Sequence, residues 1–376
     1  MTATPTRSTP AVWRPGDPAG DRRFASIGGL DLERGGVLPD VTVAYETWGT
    51  LSPSGDNAVL VEHALTGDSH VVGDAGSGHP SAGWWPGLIG PGAPLDTERL
   101  FVVASNVLGG CQGTTGPAST APDGRPWGGR FPFLTIRDQV AAEAALADVL
   151  GIRRWHAVLG GSMGGMRALE WATTHPQRVE RALVLASTAY TTADQLAWCQ
   201  PQLLSIRCDP AYRGGDYYDS RDWPLTGMGI ARRIAHTTYR QESELDERFG
   251  RRPRPGEDPL GGSGRFDVES YLDHHATKLA RRFDPNSYVV LTEAMNSHDV
   301  GRGRGGVAAA LRRFDGHLHV AGVTTDRLYP LRLSEEIAHL RPGTVLSVVD
   351  SHHGHDGFLV ETARVGGIIQ EALTAS

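Results

Sequence analysis

The chain has 376 residues, 39% of them hydrophobic and 21% charged, with a formal net charge of −7, which suits a globular protein of one large domain with an insertion, or of two domains. A negative balance without a long run of Lys or Arg argues against nucleic-acid binding. No segment approaches the length of a transmembrane helix, and the first residues lack the basic and apolar regions of a signal peptide, so no membrane association and a cytoplasmic location are expected.

Residues 1–21, rich in Pro, Thr and Gly, predict a loose N-terminal arm. Residues 41–48 alternate apolar and polar and are β-rich, and residues 57–62 read as a buried strand whose Glu62 caps the end. His63 follows at once. A lone histidine after an apolar strand is usually structural, so it is not taken as a base. Residues 73–129 are rich in Gly and Pro, with one further strand at 101–104. An ordered loop lining a site is expected there, because Trp84 and Trp85 look buried and long loops in compact domains are commonly functional. Cys111, Cys199 and Cys208 are odd in number and form no C-x-x-C pair, so neither a disulfide framework nor a zinc site is indicated.

An alanine-rich helix opens at Ile136 and ends before Gly151. The apolar run at 155–159 then enters Gly160-Gly161-Ser162-Met163-Gly164, and good helix formers follow at 166–172. This fits G-x-S-x-G, the turn that exposes a nucleophilic serine above a sheet. Glycines at its ends remove Cβ atoms where strand and helix approach, and open backbone regions closed to other residues. Another strand follows at 181–186, and the alternation of strand and helix implies a parallel sheet covered on both faces.

From about Ser187 to Phe314 the pattern turns helical and polar, which reads as a lid inserted between sheet strands. Strand patterns resume at 317–323 and 344–349. Asp326 lies just past the first, and His352, His353 and His355 just past the second. A serine hydroxyl needs an adjacent base, and the base a carboxylate that fixes its tautomer. Sites in parallel sheets lie at the carboxyl ends of strands, and the order Ser, Asp, His is that of the α/β-hydrolase fold. That fold is the expectation: an N-terminal arm at 1–21, a core domain at 22–187 and 314–376, and a helical lid at 188–313. Leu65, in the loop after the second strand, and Met163, after the serine, are the candidate oxyanion-hole donors through their backbone N–H groups. Spacing alone does not choose among the three histidines. They also lack a metal-ligand spacing such as H-E-x-x-H, so no metal is expected, and His352-His353 reads as a solvated or pocket-edge pair.

Five ordered segments, 63–70, 109–117, 161–166, 325–330 and 354–359, together resemble the homoserine O-acetyltransferases of methionine biosynthesis, over a stretch from about Val41 to the C-terminus. The resemblance implies ping-pong acetyl transfer from acetyl-CoA to the hydroxyl of L-homoserine, with no tightly bound cofactor. It implies Ser162 as nucleophile, His355 as base and Asp326 as its orienting acid. It also implies Arg232 as the partner of the substrate carboxylate, with Arg233 as a solvated neighbour, Tyr239 lining the same site and Asp356 holding the substrate ammonium. A homodimer paired through lid helices is implied in the same way. Other readings are a succinyl donor or a serine acceptor, a plain serine esterase, and a non-catalytic scaffold. Residues 109–119 are the expected acyl pocket, and Arg125 and Arg130 the candidate partners for a succinyl carboxylate. A lid-covered tunnel walled by the Trp84/Trp85 region is expected to exclude water from the acyl-enzyme.

Overall fold

The computed structural model describes residues 12–374. Its strands, in chain order, are β1 (Arg23–Asp31), β2 (Val37–Trp48), β3 (Ala58–Glu62), the two-residue β4 (Ile89–Gly90) and β5 (Leu95–Asp96), β6 (Phe101–Ser105), β7 (Trp155–Gly161), β8 (Val179–Leu185), β9 (His317–Val323) and β10 (Val345–Val349). All but β4 and β5 join one sheet in the order β1-β2-β6-β3-β7-β8-β9-β10. From β6 to β10 the pairing is parallel, and β2 runs antiparallel to both its neighbours. The sequence implies the parallel part. The antiparallel edge is a finding, since β1 alternates too weakly to announce itself.

Successive residues of a strand point to opposite faces. Leu60, Val158 and Val184 enter one apolar cluster, while Val59, Val61, Leu159, Leu183 and Leu185 enter the other. The first face is covered by α1 (Ile136–Val149) and α2 (Met163–Thr174), through residues such as Val140, Leu146, Leu169 and Trp171. Thr135 caps α1 in a reciprocal box with Asp138, which satisfies two N–H groups that a helix start leaves open.

Between β8 and β9 lie α3 (Ala193–Arg207), α4 (Leu225–Tyr239), α5 (Glu242–Phe249), α6 (Asp267–Arg282), α7 (Pro285–Asn296) and α8 (Val307–Leu311). The first five pack largely on one another, whereas α8 lies against α2 and against α9 (Leu331–Leu340) of the first face. The short α10 (Gly357–Val360) leads to α11 (Thr362–Thr374), which covers the second face with Val365 and Ile369, beside Trp85 and Leu88.

The loose-arm expectation needs correction where it can be followed. Residues 1–11 lie outside the described residues. Val12 is buried, Trp13 donates its N–H to the Cys111 carbonyl at 3.1 Å, and its ring stacks on Phe24 with centroids 4.6 Å apart.

Candidate active site

Ser162 stands between β7 and α2 with φ 58° and ψ −121°, a region that a non-glycine residue enters only under constraint. The flanking glycines supply the constraint. A Cβ on Gly160 would sit 2.6 Å from the Gly164 carbonyl carbon and 2.7 Å from the Glu62 oxygen, and one on Gly164 would overlap that same oxygen. Neither glycine has a positive φ. They serve by lacking a side chain, and the unusual backbone falls on the serine, contrary to the expectation from sequence.

The serine hydroxyl lies 3.0 Å from His355 Nε2, and His355 Nδ1 lies 2.6 Å from Asp326 Oδ2. Because a carboxylate only accepts, Nδ1 carries the proton and Nε2 is left to receive the serine hydrogen. Asp326 Oδ1 accepts the N–H groups of Leu328 and Tyr329, each at 2.8 Å, which fixes the carboxylate plane. Burial acts to depress the His355 pKa, but the charge and hydrogen bond of Asp326 outweigh it and hold it above the ordinary imidazole range. All three groups follow the carboxyl ends of parallel strands: Ser162 after β7, Asp326 after β9 and His355 after β10. Of the other two histidines, His352 is exposed, and His353 lies 3.6 Å from Glu244.

Glu62 pairs with Gly160 in register across β3 and β7, so the loop after β3 and the serine turn leave the sheet side by side. Leu65 is buried in that loop. Met163 is the first residue of α2, where an N–H has no acceptor inside the helix. Beneath both runs a buried network. Arg167 of α2 donates to Glu143 Oε1 at 2.6 Å and to the His63 carbonyl at 2.7 Å, and Trp171 Nε1 donates to Glu143 Oε2 at 2.9 Å. Glu62 does not cap its strand as expected. It is fully buried with both carboxylate oxygens unpartnered, and burial followed by the nearby Glu143 charge pushes its pKa well up, against the pull of Arg167. His63 accepts from Val107 N at Nε2 (3.0 Å) and donates from Nδ1 to the Ala64 carbonyl (2.8 Å), a neutral structural ring.

A cavity of about 480 Å³ adjoins this centre, with Ala64, Trp84, Arg232, Arg240, Arg282 and Asp356 among its walls. Arg232 Nε and Nη1 are buried without a protein partner, and its guanidinium lies over the Tyr239 ring, 5.2 Å from the centroid. Arg233 points elsewhere and binds Asp273 at 2.6 Å. Asp356 lies 3.3 Å from Arg240 Nη2; burial raises its pKa, and Arg240, His355 and Arg232 restrain the rise. Desolvation, followed by the charges of Arg232, His275 and Arg240, drives His236 down to about 2.

On the other side, Leu65, Cys199, Tyr239 and Tyr329 border a cavity of about 30 Å³ whose lining includes no Lys, Arg or His. The rings of Tyr329 and Tyr239 lie 5.0 Å and 5.8 Å from that of His355.

The expected acyl pocket at 109–119 is not in these linings. Its Thr114 and Thr115 hydroxyls accept the N–H groups of Ala44 and Thr42 on β2. Arg125 and Arg130 are exposed and paired with Asp216 and Asp123, so neither serves a buried acyl carboxylate. Sequence reasoning missed Arg240, Arg282 and Tyr329. Only Tyr329 left a signal, since it stands three residues after Asp326 in a segment that carries the resemblance.

The structure also gathers Asp21, Glu46, His70 and His79, with one ligand-type atom from each within 4.8 Å of the others. The two imidazoles stack with centroids 3.8 Å apart at 16°, so their lone pairs run alongside one another. Three of the four ring nitrogens are engaged, with Glu46, the Asp74 carbonyl and Asp21 N, and the buried Arg22 adds a cation beside the carboxylates. This set does not fit a metal.

The alpha/beta hydrolase fold family matches residues 57–362. A homoserine O-acetyltransferase of Thermobifida fusca is 64% identical over 373 residues, 98% of each chain. A crystal structure of homoserine O-acetyltransferase from Bacillus anthracis superposes with a TM-score of 0.87 at 26% identity, covering 94% of this chain and 98% of that one. The crystal structure of esterase E22 superposes with a TM-score of 0.85, also at 26% identity, covering 94% and 99%. With this likeness running along nearly its whole length, the chain belongs to the homoserine O-acetyltransferase family, built on the α/β-hydrolase fold.

Proposed function

We propose that the chain transfers an acetyl group from acetyl-CoA to the side-chain hydroxyl of L-homoserine through an acyl-serine intermediate. The observation that carries this reading is the Ser162–His355–Asp326 chain beside a cavity into which the half-buried Arg232 brings two guanidinium nitrogens, Nε and Nη1, that have no hydrogen-bond partner among the described residues. Buried donors without a hydrogen-bond partner are costly, and an amino-acid carboxylate satisfies them with a two-point fork.

In the first half-reaction His355 Nε2 takes the serine proton as Oγ attacks the thioester carbonyl. The Met163 and Leu65 N–H groups receive the developing oxyanion. Collapse breaks the C–S bond, and the proton on His355 leaves with the CoA thiol. In the second half-reaction homoserine binds with its carboxylate on Arg232 and its ammonium near Asp356. His355 then removes the proton from the acceptor hydroxyl, which attacks the acyl-serine carbonyl; the proton returns to Ser162 as O-acetylhomoserine departs. Asp326 holds the histidine tautomer throughout.

The small cavity beside Tyr329 supports acetyl over succinyl. Its volume of about 30 Å³ is room for roughly two water-sized groups, and no cation lines it. The helices at 188–313, read as a lid, cover the site and exclude water from the acyl-serine, which favours transfer over the hydrolysis performed by an esterase. Leu196, Leu204 and Ile230 leave apolar side chains exposed on α3 and α4, and this supports pairing of two copies through the lid. A cytoplasmic location belongs to the same reading; no described helix is long and apolar enough to cross a membrane.

The test is thiol release from acetyl-CoA and from succinyl-CoA, each with L-homoserine, L-serine or no acceptor. Release that requires both acetyl-CoA and homoserine, and that vanishes in Ser162→Ala, is the expected result. Acceptor-independent release would make the chain a hydrolase.

A further inference from the structure

We propose that a basic groove at the carboxyl end of α6 binds the phosphate groups at the nucleotide end of the acyl-CoA donor. The proposal rests on the acyltransferase reading above and names the place where the far end of that donor is held.

The groove encloses about 630 Å³, and five cations, Arg254, Arg265, Lys278, Arg281 and Arg282, line it against one carboxylate, Asp273. In a chain of net charge −7 such a cluster is a local arrangement and not a consequence of composition. Two of the cations are already neutralised. Arg265 binds Glu257 at 2.6 Å and Asp273 at 2.8 Å, and Arg254 lies 3.3 Å from Glu257. Arg282 is turned inward, donating to the Thr66 carbonyl at 2.5 Å. Lys278 and Arg281 remain. Both are exposed and form no ion pair among the described residues, and a spacing of three on α6 puts them on one helix face.

Position relative to the triad completes the argument. Ser81, Lys278 and Arg282 line this groove and also the 480 Å³ cavity that holds Arg232 and Asp356. The two spaces therefore adjoin, and together they run from the surface to the sequence neighbour of His355. An amino acid fills only the inner one. CoA is a long molecule with its thiol at one end of a thin uncharged arm and a diphosphate and a 3′-phosphate at the other. With the thioester at Ser162, the arm takes the inner space and the phosphates reach the outer cations. Exposed cation–phosphate contacts are individually modest and screened by salt, so their effect falls on donor affinity and capture, not on the chemical step.

The experiment compares acetyl-CoA with S-acetylpantetheine, which has the same arm and no phosphate, in wild type and in Lys278→Ala/Arg281→Ala. The expected result is a fall of about tenfold in the ratio of kcat/KM for acetyl-CoA to that for acetylpantetheine, two contacts of roughly threefold each. The wild-type preference should also weaken as salt rises, and that of the variant much less. A ratio unaffected by the double substitution overturns the groove assignment. Calorimetric titration with CoA itself reads the same groove without turnover: about tenfold weaker binding to the variant is expected, and equal binding overturns the proposal. Absence of homoserine-dependent transfer from either donor, with CoA binding still sensitive to the substitutions, would overturn the functional reading and leave the groove standing.

Discussion

Arg167 Nη2 donates to the carbonyl oxygen of His63 across 2.7 Å, tying α2 to the loop after β3. The two proposed oxyanion donors sit on those two segments, Leu65 two residues beyond His63 and Met163 four residues before Arg167. One buried guanidinium thus sets the separation of two N–H groups. Replacing Arg167 with Met should lower kcat by roughly 10²-fold, the order lost with one oxyanion donor, with the KM for homoserine little changed. It should also destabilise the fold by about 3–5 kcal/mol, since Glu143 is left buried without its partner. Arg167→Lys should recover part of both. A rise in KM at unchanged kcat would show that the bond holds substrate and not the oxyanion geometry.

Asp326→Asn removes the carboxylate that keeps His355 in its working tautomer, and kcat should fall by about 10⁴-fold. The pH profile carries a second signature. Acylation needs neutral His355, and its pKa is raised chiefly by Asp326 against the effect of burial. The acidic limb of kcat/KM should therefore lie above the ordinary imidazole value, and in the variant any residual activity should show it displaced to lower pH. An unmoved limb would assign the titration to another group.

Arg232→Ala should raise the KM for homoserine by roughly 10²-fold, the loss of a buried charge-assisted fork. The burst of CoA thiol that reports acylation should persist, because that half-reaction precedes homoserine binding. Arg233→Ala, which removes one of the two arginines paired with Asp273 and leaves Arg265 in place, should change neither by more than about twofold. Equal damage from the two substitutions would remove Arg232 from the substrate site.

Glu62 gives a stability prediction with a definite sign. Its carboxyl is raised in the fold by burial and then by Glu143, while in the unfolded chain it ionises near the ordinary Glu value of about 4.3. Above that pH the folded state holds the extra proton, so stability falls as pH rises, up to the folded pKa. Glu62→Gln removes the titration and supplies an amide donor toward Glu143. Thermal unfolding should show the variant gaining on the wild type between pH 5 and pH 8, by about 1–2 kcal/mol at the upper end. Parallel curves for the two proteins across that range would place an ionised Glu62 in the fold.

The segments legible in the sequence were those whose own periodicity decides their fate. Residues 57–62, 101–104 and 317–323 announce strands because most of their positions are apolar enough to be buried on both sides of a sheet, and α1 is announced by its alanine-rich run and its closing glycine. β1 was not legible: it is an edge strand with most residues exposed, so no alternation is imposed on it. In the site, the order of Ser162, Asp326 and His355 along the chain and their places after strands were visible. Arg240 beside Asp356 and Glu62 beneath α2 were not, because each meeting is made by packing of segments far apart in sequence. The reading of 109–119 as an acyl pocket failed for the same reason, since only the fold shows that segment turning toward β2.

Gly354 carries a tight joint between the helical insertion and the core. Its φ is +61°, and a Cβ there would lie 2.6 Å from the carbonyl oxygen of Tyr239, the last residue of α4. The backbone that presents His355 is thus seated directly on the helix that presents Arg232. On the proposed reading of Arg232, acceptor recognition and proton transfer are in this sense machined into one part. Grafting the insertion of a relative with a different acceptor would import the new recognition helix without the surface it rests on. A working chimera therefore has to exchange residues 188–313 and the loop around residue 354 together.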